Sequence, residues 1–260
     1  MLEWLGPWTL YGACPKFHST LACCDTSVPG YSGCMRVYDC IRASPSSPPP
    51  PKIDNCTLGS IVQKGSPCST DAVSRLSGQI AAEMGKLGVK LVPLSSDQKK
   101  HIECLYKEGC SGRMNPDALS SLVKVAKKKK KRITLKSMWR SAAQQYLLYR
   151  FHATGKCDQK YVVDRPGNSA HEGGAAIDVK RETVSTWAFA LMTEHWKWPL
   201  PSSDPVHFAY QSTSKAHSKY SLIAFQRLWN RHNPESRIAE DGHYGKETEA
   251  ALSKTPCKGW

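Results

Sequence analysis

Two short stretches must meet in whatever this chain folds into. One reads Ser169-Ala170-His171-Glu172-Gly173-Gly174-Ala175-Ala176-Ile177-Asp178, and the other Asp204-Pro205-Val206-His207-Phe208. Together they hold two imidazoles and two carboxylates among small and apolar neighbours. Histidine nitrogen and aspartate oxygen are ordinary metal ligands, and a catalytic site keeps three protein ligands with one position left for water. His171, Asp178 and His207 make one such set, with Asp204 as a second carboxylate beside it. A lone histidine or aspartate at a strand end is more often structural, and His18, His101, His152, His195, His217, His232 and His243 are read that way. On the residues alone, a metal site and a purely structural arrangement stay equally open.

The local pattern supports a cleft. Ala175, Ile177 and Val179 alternate with Ala176 and Asp178, as two faces of one strand require. Gly173 and Gly174 allow a tight path from His171 into that strand. Val206, Phe208 and Tyr210 form an apolar set that leaves His207 on the opposite side. Asp204 lies three residues before His207, so strict strand geometry would part them. A turn at Asp204-Pro205 is required, and proline suits a strand entry. A further strand is expected from Ile133, ending on Arg140 at the face away from Ile133 and Leu135. An exposed ion pair is the plainer use of that arginine.

The order Trp139-Arg140-Ser141-Ala142-Ala143-Gln144-Gln145, then Ser169-x-His171-x-x-Gly174-x-Ala176-x-Asp178, then Asp204-x-x-His207-Phe208 resembles the VanY-type D-alanyl-D-alanine carboxypeptidases. This zinc peptidase family shares a fold group with lysostaphin-type enzymes and the hedgehog signalling domain. Trp139 departs from the tyrosine common there. The resemblance spans roughly residues 55 to 210. It implies zinc as cofactor, with His171, Asp178 and His207 as ligands and Asp204 as general base. It implies an oxyanion-stabilising or substrate-positioning role for Arg140. Ser169 and Gln145 are implied to be substrate-binding or supporting residues. Glu172 lies next to a ligand but is not itself a family ligand. The implied reaction is hydrolysis of peptidoglycan stem peptides, foremost as a D-alanyl-D-alanine carboxypeptidase. A peptidoglycan endopeptidase, or a non-catalytic wall-binding protein with a structural zinc, is the alternative.

Length admits one sizeable core plus smaller modules. The chain has 260 residues and eleven cysteines, and none of these falls in a Cys-x-x-Cys pair. Disulfides and an oxidising, secreted or extracellular destination follow for most of them, with an odd thiol left over. The first residues lack the basic start and apolar run of a signal peptide, which pulls the other way. No apolar run reaches the ~20 residues of a membrane span. The net charge is +14, and Lys127 to Arg132 is the densest basic run. Such a run can bind nucleic acid, but a solvated loop or attraction to an anionic wall fits the remaining features better. The expected partner is peptidoglycan or a muropeptide, met by a monomer with no specific nucleic acid.

Four segments are expected: a Cys-rich module over 1–43, a Pro/Ser linker over 44–52, a zinc D,D-peptidase domain over 53–215, and a helical segment over 216–260. Helices are expected from Ser69 to Gly88, from Asn115-Pro116, from Ser141 to Gly155, and from Ser185 to about Trp196. With strands near 133–140, 175–180 and 206–210, the fold class is α+β. The family resemblance implies a small antiparallel sheet flanked by helices. The tail, with Phe225, Leu228, Trp229 and the turn Asp241-Gly242-His243-Tyr244-Gly245, resembles one repeat of peptidoglycan-binding domain 1.

Overall fold

The computed structural model describes residues 56–65, 68–105, 110–157, 163–211 and 217–260, together with the backbone of Leu21–Cys23 and Cys34–Arg36. Residues 1–54 and 55–260 form separate compact units. In the first, β1 (Leu21–Cys23) and β2 (Cys34–Arg36) pair antiparallel with Cys23 opposite Cys34. The rest of the Cys-rich module and the Pro/Ser linker lie outside the described residues.

The second unit begins with α1 (Leu58–Lys64), α2 (Ser74–Lys86), β3 (Val92–Pro93) and α3 (Ser96–Lys99). Next come β4 (Ile102–Cys104), β5 (Arg113–Met114), α4 (Pro116–Lys128), β6 (Ile133–Ser137) and α5 (Ala142–Thr154). It closes with β7 (Ala176–Val179), α6 (Val184–Met192), β8 (Trp196–Lys197), β9 (His207–Tyr210), α7 (Ser218–His232) and α8 (Lys246–Lys254). The fold is α+β, as expected. The main sheet has the order β4-β6-β7-β9-β8. It is not antiparallel throughout: β4 runs parallel to β6, while every other pair in it is antiparallel. A parallel neighbour needs a long crossover, and α4 supplies it here.

The helix ends follow their capping chemistry. The Asn115 side chain accepts from the backbone N–H groups of Asp117 and Ala118, with Pro116 as the first helical residue. Ser141 forms a capping box with Gln144, and Gly155 closes α5 in the left-handed region at φ 62°. Near Ser69 the chain first makes a 3-10 turn, Asp71–Val73, before α2 begins. The helix expected to reach Trp196 stops at Met192, because His195 takes φ 67° and turns the chain into β8.

Two apolar cores result. One lies between the sheet and α4 and α6, and holds Ile133, Leu135, Ala175, Ile177, Val179, Trp187 and Phe208. The other is helical and joins α1, α2, α5, α7 and α8 through Leu58, Leu76, Ile80, Leu147, Phe225 and Leu252, with Trp139 among them. Disulfides Cys56–Cys257, Cys68–Cys157 and Cys104–Cys110 cross-link this unit. Three residues of the basic run, and Lys124 just before it, have acidic partners: Lys124 and Lys128 both bind Glu194, Lys127 lies 3.9 Å from Asp97, and Arg132 lies 3.5 Å from Glu103. No helix among the described residues is long and apolar enough to cross a membrane.

Candidate metal centre and catalytic site

Strand register builds the site. Asp178 on β7 and His207 on β9 are direct cross-strand partners. Opposite residues of an antiparallel pair share a face and bring their Cβ atoms to about 5 Å. Both therefore project from the face away from Ile177 and Phe208, which are fully buried in the sheet core. His171 arrives from a 3-10 turn, Ala170–Gly173, that precedes β7. The turn reaches the strand through Gly174 at φ 74°, where an added Cβ would lie 2.4 Å from Leu91 Cδ2 and 2.9 Å from Asn115 N. Of the two glycines singled out in the sequence, Gly174 is the one whose backbone demands glycine.

Three ligand atoms converge. His171 Nε2 lies 3.2 Å from His207 Nδ1 and 3.3 Å from Asp178 Oδ1, and His207 Nδ1 lies 3.1 Å from that same oxygen. Among the described residues, this is the one group of three or more such side chains able to hold a metal ion. Tetrahedral coordination at 2.0–2.1 Å separates neighbouring ligand atoms by about 3.3 Å, so the triangle fits a small divalent cation. The proton of His171 is also in the right place. Nδ1 is 2.7 Å from Met138 O, and a carbonyl can only accept. Nδ1 therefore donates, leaving the Nε2 lone pair toward the cluster. Burial first, and then the Arg140 charge, push the His171 imidazole down to about 4. That keeps it in the neutral form that coordinates metals.

Asp204 comes in on the required turn, its carbonyl accepting from His207 N–H at 3.3 Å. Its Oδ1 is buried and has no hydrogen-bond partner in the structure. Burial, followed by the Asp178 charge, raises the Asp204 carboxyl above its ordinary value. An orphaned, up-shifted carboxylate beside a ligand triangle is equipped to take a proton.

Arg140 does not end the strand. β6 stops at Ser137, and a bulge intervenes: Leu135 pairs with Val179, but Ser137 pairs with Asp178. Two residues advance on β6 for one on β7, which reverses the facing of everything after Leu135. Regular pairing would set Ser137 on the core face. The bulge sets it on the face of Asp178, where its Oγ is 3.2 Å from His171 Nδ1 and accepts from Arg140 Nη2 at 3.0 Å. Arg140 Nη2 also donates to Asp178 Oδ2 at 3.3 Å, and Nη1 donates to Gln145 Oε1 at 3.2 Å. Burial lowers the guanidinium pKa, opposed by Asp178, Glu172, Asp204 and Asp164. Three of its five N–H donors are thus engaged, leaving two for another group.

The remaining candidate residues bond to their neighbours in the cluster. Gln145 is fully buried and clamps Arg140 while its Nε2 donates to Asp164 O at 2.6 Å. Ser169 is buried and opens the His171 turn, its N–H donating to Glu172 Oε2 at 3.2 Å. Glu172, unassigned from sequence, ties the loop before the turn by accepting from Gly167 N–H at 3.0 and 2.8 Å. Burial pushes its carboxyl up to about 8 against those backbone bonds. Ser137 was also missed, since its site-facing position depends on the bulge. The signal open to a sequence reader was a serine three residues before Arg140, on a strand of otherwise apolar inward residues.

No curated protein matches the chain. Residues 113–222 match the family model VanY, D-alanyl-D-alanine carboxypeptidase, a stretch under half the chain that contains every residue of the cluster. This segment is similar to a family of D-alanyl-D-alanine carboxypeptidases, and it contains the His-Asp-His group.

Proposed function

We propose that this protein is a zinc-dependent D,D-peptidase that cleaves stem peptides of peptidoglycan, with release of a terminal D-alanine as its main reaction. The observation that carries the reading is the 3.1–3.3 Å triangle of His171, Asp178 and His207 beside the unpartnered Asp204 Oδ1. His171, Asp178 and His207 would hold the zinc, which would supply Lewis acidity and lower the pKa of water toward neutrality. Asp204 Oδ1 accepts the proton of the attacking water and returns it to the departing amine. Arg140 turns its two free N–H donors to the carbonyl oxygen as negative charge develops there. Gln145 and Ser137 keep the guanidinium from swinging away. The disulfides and the basic charge suit an extracellular enzyme drawn to an anionic wall.

The test is metal titration paired with turnover. Purified protein should bind one equivalent of zinc, lose D-alanine release from a peptide ending in D-alanyl-D-alanine on chelation, and regain it with zinc. Turnover unaffected by thorough chelation would exclude the zinc reading.

A further inference from the structure

We infer that α7 is a working part of the catalytic scaffold and that Ser221 is a positioning residue for Arg140; the catalytic half of this rests on the peptidase reading above. The backbone around Arg140 is pinned on both sides. On one side, its own N–H donates to His171 O at 3.3 Å. On the other, the chain enters α5 at once, and the first N–H groups of a helix have no intrahelical partner. Ser141 serves one of them, accepting from Gln144 N–H at 3.2 Å. The N–H of Ala142 donates to Ser221 Oγ of α7 at 2.8 Å, across 79 positions of sequence. Ser141 Oγ in turn lies 2.7 Å from Ser77 Oγ of α2. Ser141 and Ser221 are fully closed to solvent and Ser77 nearly so. A helix far along the chain therefore holds the residue two positions after the arginine.

A second contact reaches the same group by another route. Gly167 has φ 88°, and an added Cβ there would lie 3.0 Å from both Gly242 O and Leu222 Cδ2. The loop carrying Gly167 is thus seated on the tail. That loop supplies Asp164 O to Gln145, which clamps Arg140, and Gly167 N–H to Glu172, beside His171. Ser221 and Leu222 are neighbours on α7, and the family match runs through both. The tail braces Arg140 through its backbone and through its side-chain clamp.

The test uses the full, zinc-loaded chain. Ser221→Ala should lower kcat for D-alanine release roughly 10- to 100-fold, as a displaced catalytic group does, with zinc affinity unchanged. In an Arg140→Ala background the same change should cost less than about twofold, because groups acting as one unit are not additive. In nitrogen-15 NMR, Ser221→Ala should shift the Arg140 Nε–H resonance and leave that of Arg150 in place. An unchanged kcat and resonance, or an equal fold-loss in both backgrounds, overturns the inference. If Ser221→Ala does not fold, Ser221→Cys, whose sulfur is only a weak acceptor for the Ala142 N–H, is read by the same criteria. A wild type that releases no D-alanine removes the peptidase reading, and the Arg140 resonance then decides the role of Ser221 alone.

Discussion

Ser137 shows how much one hydroxyl can carry. It touches the ring of a proposed zinc ligand and the guanidinium of Arg140 at once, at 3.2 and 3.0 Å. Outer partners of this kind set ring orientation, and losing them typically costs 10- to 100-fold in metal affinity. Ser137→Ala should therefore weaken zinc binding by about 10-fold, measured by competition with a chromophoric chelator; unchanged affinity would show that Met138 O alone orients His171. Residue type, small neighbours and spacing single out His171, Asp178 and His207 in the sequence, and the family resemblance is what implies a ligand role for them. Ser137 is not singled out, because its facing depends on an inserted residue in β6 that alternation cannot reveal. Glu172 was hidden for a related reason: its partners are backbone N–H groups of Gly167 and Ser169, and backbone donors leave no trace in side-chain patterns.

Elements were legible where they carry their own punctuation. Asn115-Pro116 and the Ser141-to-Gly155 span begin and end as their caps dictate. α6 is shorter than its sequence pattern suggests, because the chain turns at His195 with φ 67°, a conformation that histidine does not advertise. The parallel pairing of β4 is a tertiary choice, made by packing beyond the local chain. One link between elements makes a pH prediction. Lys124 and Lys128 on α4 grip Glu194 just past α6, and these bonds hold its carboxyl at about 2, against an ordinary 4.5. A carboxyl depressed in the folded state stabilises it above about 4.5, and that contribution is lost as pH falls through about 2. Glu194→Gln should lower the melting temperature at pH 6 and leave it near that of wild type at pH 2. Equal lowering at both pH values would mean that Glu194 acts by packing.

At the scale of the molecule, a helical core and a sheet core meet at the site, and covalent links close the chain around them. Cys56 and Cys257 are 201 residues apart, so their bond fastens the start of this unit to its end. Removing a native disulfide typically costs 2–5 kcal/mol, more for longer loops in the chain-entropy account. The Cys56→Ser, Cys257→Ser double variant should lose about 2–5 kcal/mol in urea unfolding; a loss below about 1 kcal/mol would show that the unfolded chain was little constrained by it. The cysteine count foretold cross-links but not their pairing, and the tail motif foretold helices but not that they would share a core with α1, α2 and α5. In the proposed hydrolysis, Asp204 moves the proton at a centre formed by His171, Asp178 and His207. The most direct test is mass spectrometry of a defined muropeptide incubated with zinc-loaded wild type and with Asp204→Asn of equal zinc content. Wild type should remove one terminal D-alanine, and the variant should do so about 10²- to 10⁴-fold more slowly; equal release by both, or none by wild type, would rule out this role for Asp204.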